Sequence, residues 1–125
     1  MGRVAVPVEL SVDALAYGSD RVLPVRLPVN VSGAGDNSLI AALPGKKALL
    51  VAGLFMASAT VTVRFEDGAA GPDLSGDISL IANVGFVIPY LPIGWALTSV
   101  NTALNLNLSA GVQIGGFLVY VPISL

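Results

Sequence analysis

Hydrophobic residues recur at every second position over much of this chain, which is the spacing of a β-strand with one face buried. Val4, Val6, Val8, Leu10 and Val12 fall on one side of a first segment, with Arg3, Pro7, Glu9 and Ser11 on the other. Leu23, Val25, Leu27, Val29 and Val31 alternate with Pro24, Arg26, Pro28 and Asn30. Further on, Val61, Val63 and Phe65 alternate with Thr60, Thr62 and Arg64, and Leu104, Leu106 and Leu108 with Ala103, Asn105 and Asn107. Ala48 to Met56 is apolar without a break, as in a strand covered on both faces, although a short buried helix has the same signature. Shorter runs follow at Ile78–Ala82, Gly85–Tyr90, Trp95–Val100 and Val112–Val121, separated by Gly, Pro, Asn and Ser. The pattern predicts about eight to ten strands and no amphipathic helix, an all-β antiparallel sandwich or jelly roll.

Turn chemistry places the connections. Ser32–Asn37 and Leu43–Lys47 read as turns, and Glu66–Asp77 as a Gly-rich loop. Gly115-Gly116, inside the last strand, predicts a bulge or a close backbone approach. Pro7, Pro24 and Pro28 withhold backbone donors, so the first two segments suit a sheet edge. They predict an extended arm over residues 1–31, lying on its own subunit or a neighbour, ahead of a sandwich over 32–125.

Charge changes this picture. All fourteen Asp, Glu, Lys and Arg residues lie between Arg3 and Asp77, and none follows. A soluble strand or helix ordinarily keeps charge on its outward face, so the neutral half must be shielded by a membrane or by another subunit. A spanning helix over Ser79–Leu97 would carry Pro89, Pro92, Gly85 and Gly94 and has no basic flank. An interface is the better expectation, since interface cores are depleted in charge. Candidate contact residues are Val4, Val6, Val8, Leu23, Val25 and Leu27 in the arm. Phe86, Tyr90, Trp95, Leu104, Asn105 and Asn107 are the candidates for the oligomer core.

Composition narrows the chemistry. With no histidine and no cysteine, the chain lacks the commonest general base, thiolate chemistry and the usual zinc ligands. Six basic residues, scattered, do not make a phosphate-tracking stripe, so nucleic acid is not an expected partner. Gly33-Ala-Gly35 has no helix behind it to form a nucleotide site. Half of the eight acidic residues sit in Glu66–Asp77. That loop lacks the spacing of a calcium-binding loop and reads as a solvated hairpin connection. Phe86, Tyr90, Trp95 and Tyr120 could stack as a sugar platform, or serve as core and interface anchors, which is the favoured reading. Neither an enzyme nor a cofactor is expected. The start of the chain has Pro7 and Glu9 where a signal peptide needs an apolar run, which suggests synthesis in the cytoplasm.

Gly85-Phe-Val-Ile-Pro-Tyr-Leu-Pro-Ile-Gly-Trp95, followed by Ala103-Leu-Asn-Leu-Asn-Leu-Ser-Ala-Gly-Val-Gln-Ile-Gly-Gly-Phe-Leu-Val-Tyr120, resembles small β-structured virion proteins of tailed bacteriophages. The similarity runs more loosely back to Lys46, through Arg64-Phe-Glu-Asp-Gly68, and leaves out the proline-bearing N-terminal segments. The resemblance implies a capsid decoration or cement protein on the virion surface. Such a protein is usually trimeric, binds a major capsid protein or other virion protein, and is made in the host cytoplasm. The alternative is a carbohydrate-binding or receptor-binding module of a tail or fibre.

Overall fold

The computed structural model of the protein describes residues 15–17 and 20–124, so the alternating segment Val4–Val12, with the candidates Val4, Val6 and Val8, lies outside the described residues. Among the described residues eleven strands follow one another: β1 (Leu15–Tyr17), β2 (Asp20–Val22), β3 (Val25–Val31), β4 (Gly35–Ile40), β5 (Lys47–Ala57), β6 (Val61–Asp67), β7 (Ile78–Leu80), β8 (Val84–Ile88), β9 (Ala96–Leu97), β10 (Leu104–Leu108) and β11 (Ile114–Ile123). Every pairing between them is antiparallel. Sheet I has the order β3-β11-β5-β8, with β9 also on the outer side of β5; sheet II has the order β4-β10-β6-β7. β1 and β2 form a small hairpin of their own.

The two sheets face each other over one apolar core. β6 and β10 supply it by strict alternation, with Val61, Val63 and Phe65 and then Leu104, Leu106 and Leu108 all buried. Phe55 of β5 is completely enclosed and braces the two layers. It stacks on Phe86 at 5.0 Å within sheet I and meets Phe65 of sheet II edge-on at 5.6 Å. Such offset and edge contacts match the positive ring edge to the negative ring face, and add about 0.5–1.5 kcal/mol per pair beyond burial. β5 is a central strand between β11 and β8, which is why its sequence reads apolar throughout.

The outer face of sheet I carries a second, smaller core. Leu49, Val51, Val121 and Ile123 are buried there, with Val22 of β2 and Val119 packed on them. β11 serves both cores by plain alternation, with Leu118 and Tyr120 inward and Val121 and Ile123 outward, while the register shift leaves Val51 of β5 without a partner on β11 and switches the inward side of β5 from Ala48 and Leu50 to Phe55 and Ala57. The turn after β8 lies along β5, with Leu91 and Trp95 donating backbone N–H bonds to the Val51 and Leu50 carbonyls at 3.0 and 2.7 Å. Part of the neutral C-terminal half is therefore hidden within its own chain.

The pairing places three of the expected features. Residues 25–31 lie along a sheet edge, and their own subunit supplies it: β3 pairs with β11 along its whole length and buries Val29 in the main core. Pro28 lies within this edge strand, the place in a sheet where a proline's missing N–H is tolerated. Second, the turn expected over Ser32–Asn37 ends sooner, because Gly35–Ile40 is β4, an edge strand whose outward residues are polar. Third, of the bulge or close approach expected at Gly115-Gly116, Gly116 makes the close approach, with φ 141° and a backbone so near that a methyl would collide with the Leu54 carbonyl, and the register shift lies elsewhere, at Val51 of β5.

Gly116→Ala should therefore lower stability by about 1–3 kcal/mol from its backbone conformation alone. Gly115→Ala, with nothing within 4 Å of the added carbon, should lose far less in the same urea titration. Deleting residues 1–31 should abolish the cooperative unfolding transition, because it removes β3 from the side of β11; a truncated protein that still melts cooperatively would contradict this placement.

Candidate functional site

The sandwich has two unlike outer faces. On sheet I the register aligns Pro28, Phe117, Leu54 and Val87 in one row across four strands. Phe117 and Val87 are 40% and 67% exposed, and Met56 beside them is 47% exposed. Arg26 reaches over the Phe117 ring at 5.8 Å, a contact that leaves the ring edge free. The apolar surface continues into the stretch from β7 to β10. Among the described residues, eight of the eleven exposed large hydrophobic residues come from residues 81–100: Ile81, Val84, Val87, Tyr90, Ile93, Trp95, Leu97 and Val100. Ile93, at the tip of the turn closed by the Gly94 N–H on the Leu91 carbonyl, is the most exposed at 78%. Isolated exposed hydrophobic residues are ordinary, but a contiguous uncharged group of them marks an interaction surface.

Beside this surface the sheets part and leave an apolar cavity of about 190 Å³, lined by Leu50, Phe65, Leu74, Ile78, Phe86 and Trp95 among others. Its one polar wall residue, Ser75, is already engaged, accepting from the Phe65 N–H and donating to the Gly76 carbonyl at 2.9 Å each. The indole N–H of Trp95 is likewise spent on the Pro89 carbonyl at 2.8 Å. The cavity offers no free hydrogen-bonding side chain from these two residues, so its natural occupant is hydrocarbon.

The outer face of sheet II is polar. Asp36, Asn107 and Arg64 form one cross-strand row, and Ser38, Asn105 and Glu66 the next. Arg64 Nε donates to Glu66 Oε2 at 2.7 Å and lies 3.2 Å from Asp73 Oδ1, while its Nη1 lies 3.6 Å from Asp77 Oδ1. Glu66 was expected in a solvated loop, but it ends the outward row of β6 and is only 3% exposed. Burial pushes its carboxyl above the ordinary value, and a hydrogen bond with Asp36 adds to that shift. Asp36 is held below its ordinary value, chiefly by the Asn107 amide donating at 2.8 Å. Paired acids with opposite shifts are a feature of some catalytic sites, but catalysis also needs a cleft that admits substrate, and Glu66 is closed over. Among the described residues no group of three or more His, Cys, Asp or Glu side chains is placed to hold a metal ion, and no helix is long and apolar enough to cross a membrane.

The structure separates the candidate interface residues. Leu23, Tyr90 and Trp95 are exposed at 61%, 53% and 49%. Val25, Leu27, Phe86 and Leu104 face the chain's own core, because the alternation that suggested an interface is satisfied inside the sandwich. Asn105 and Asn107 stand on the polar face of sheet II, away from the apolar row. The four aromatics do not make one platform, since Phe86 stacks on Phe55 and Tyr120 is buried. Val87 and Ile93 fall within the stretch Phe86–Trp95 expected at an oligomer core, and the residues missed in the sequence were Phe117 and Met56. Their runs look like any buried strand, and only the neutrality of the stretch hinted at their exposure.

Compared with known protein families, curated proteins and solved structures, the chain matches none. Function is therefore argued from the two faces and the cavity.

Ala96 lines the cavity from β9, so Ala96→Leu should fill part of it and raise the melting temperature of the isolated subunit. Added methylenes in a well-packed site cost about 1–3 kcal/mol, so a lower melting temperature would mean that the space is not there.

Proposed function

We propose that the protein is a structural assembly subunit, a decoration or cement protein of a viral shell, which associates with copies of itself through its apolar face. The observation that carries this reading is the gathering of exposed hydrophobic residues onto residues 81–100 and the adjoining row of sheet I, while the charged side chains around Arg64 lie on sheet II. A face of that kind is unfavourable in water and favourable against a like surface. The wiring supports the same reading. The pairs β3–β11, β4–β10, β5–β8 and β6–β7 are those of a long antiparallel ribbon, and winding that ribbon adds the pairs β11–β5 and β10–β6. That order of pairs fits the winding of a jelly roll, an architecture used in viral shells and in lectins. The resemblance of residues 85–120 to phage virion proteins points the same way. In such a role the subunit binds only the assembled shell and stabilises it by mass action, with several contacts per oligomer acting together.

A carbohydrate- or receptor-binding module is the second reading, favoured by the exposure of Tyr90 and Trp95 on one loop. It predicts a change in Trp95 fluorescence on titration with sugars, which the assembly reading does not. Catalysis forms no part of either reading.

The assembly reading predicts a solution mass several times 12.7 kDa by light scattering. Val87→Asp and Ile93→Asp should each reduce that mass to one subunit without loss of the folded circular dichroism spectrum, because both positions are exposed. Thr62→Asp, on the other sheet, should leave the mass unchanged. Co-sedimentation with empty shells then tests attachment. A wild-type protein that stays monomeric at micromolar concentration and does not sediment with shells would overturn the reading.

A further inference from the structure

The loop after β6 is fastened across the outer face of sheet II, and an acid pair lies at the fastening. The chain leaves β6 at Asp67, and three residues later the Ala70 N–H donates to Asp36 Oδ2 at 2.6 Å on β4, two strands away. The loop is anchored again by the Gly68 N–H on the Ala103 carbonyl at 2.9 Å and the Asp67 N–H on the Pro72 carbonyl at 2.9 Å. Ala70 holds a left-handed conformation, φ 54°, which an alanine adopts only when its surroundings impose it. This stretch spans β10, and on the face it spans Glu66 and Asn105 are 3% and 5% exposed. Each presents an oxygen with no donor: Glu66 Oε1 and Asn105 Oδ1, cross-strand partners in the β6–β10 register.

We propose that Glu66 keeps a proton in the folded protein and that this proton latches the loop over residues 68–72 to sheet II, releasing it as pH rises. Glu66 is enclosed with Oε1 lacking any donor, and its cross-strand partner Asn105 offers only another unpartnered oxygen, so an ionised Glu66 would be buried at high cost where a proton on it would give these oxygens a donor. Both Asp36 oxygens already accept, from Asn107 and from Ala70, and Glu66 Oε2 accepts from Arg64. The proton therefore belongs on Glu66, the buried member, whose Oε1 is unoccupied. The charged groups facing Glu66 are Asp36 from β4, Arg64 from β6 itself, and Asp73 and Asp77 through Arg64; β10 contributes only the neutral Asn105 and Asn107. One guanidinium among four acids does not offset an ionised Glu66. A cation fits less well than a proton, since calcium takes about six to eight oxygens and only two here lack a partner.

The direction of the pH effect follows from linkage. A folded state that binds its proton more tightly than the unfolded chain has that advantage in full below the ordinary glutamate value of 4.5, and loses it as pH rises through the folded value. Asp36 acts in the opposite sense below its ordinary 3.8, so stability falls on both sides of this narrow interval.

The test is a carbon-detected NMR titration of the Glu66 carboxyl in the full chain, with melting curves from pH 4.5 to 8 and hydrogen exchange at the Ala70 amide. Glu66 should titrate above 4.5, the melting temperature should fall by a few degrees through that titration, and Ala70 exchange should accelerate over the same range. Glu66→Gln replaces the proton with a permanent donor, and in it both the melting temperature and the Ala70 exchange, corrected for base catalysis, should be flat. Asp36→Asn, which removes the charged acceptor, should lower the Glu66 titration in the otherwise intact protein. A Glu66 that titrates at or below 4.5 would mean a bridging water or the Asn105 amide supplies the hydrogen, and would overturn the proposal. A calcium-dependent rise in melting temperature, absent in Glu66→Gln, would overturn it in favour of a cation.

Discussion

The pairing of β5 with β11 is the interaction on which the rest of the structure depends. It joins the middle of the chain to its end over ten register positions. β3 finds its place only against the other side of β11, and β8 and β9 only against the other side of β5. Loss of this ladder would leave sheet I as unconnected strands and leave the leucines of β10 without a facing layer. The contact is also long-range in sequence, so its closure entropy is met late and the domain belongs to the slowly folding all-β class.

From that ladder the two faces follow. Winding the ribbon sends alternate strands to opposite sheets, so the charged strand β6 and the amide-bearing β10 become neighbours on sheet II. The neutral β8 and β11 go to sheet I with β5. Outward residues of sheet II hydrogen-bond to one another through Asp36, Asn107, Arg64 and Glu66. Those of sheet I are mostly apolar, and part of them is hidden instead. At one end β2 and the 91–97 turn do this, over Leu49, Val51, Val121 and Ile123. At the other end, around Phe117 and Val87, a second subunit is the cover proposed. The apolar cavity lies near the Trp95 end of this surface and suits a hydrocarbon side chain from a neighbour.

Glu66 illustrates how the polar face departs from a simple solvated surface. In sequence it is one more acid in a Gly-rich loop. In space it lies beneath that loop, opposite a neutral amide and near a second carboxylate, where its ionised form loses hydration without gaining enough positive charge. The ladder position opposite Asn105 puts it there, and the spacing of acids along the chain carries no trace of it.

By itself the sequence determined the class of fold and the facing of its best strands. Period-two alternation at Val25–Val31, Val61–Phe65 and Leu104–Leu108 survives into the structure because one buried face leaves a strand no other register. The absence of charge after Asp77 likewise marked the stretch that presents apolar side chains outward. Tertiary structure alone decided which apolar residues are covered by their own chain, since Phe86 and Val87 are equally hydrophobic and adjacent. The pleat turns Phe86 onto Phe55 and Val87 outward to solvent. It also decided that β3 belongs to the sandwich and that Glu66 meets Asp36. Both depend on pairings between residues far apart in the chain, and a local pattern of polar and apolar positions does not encode which distant strand becomes a neighbour.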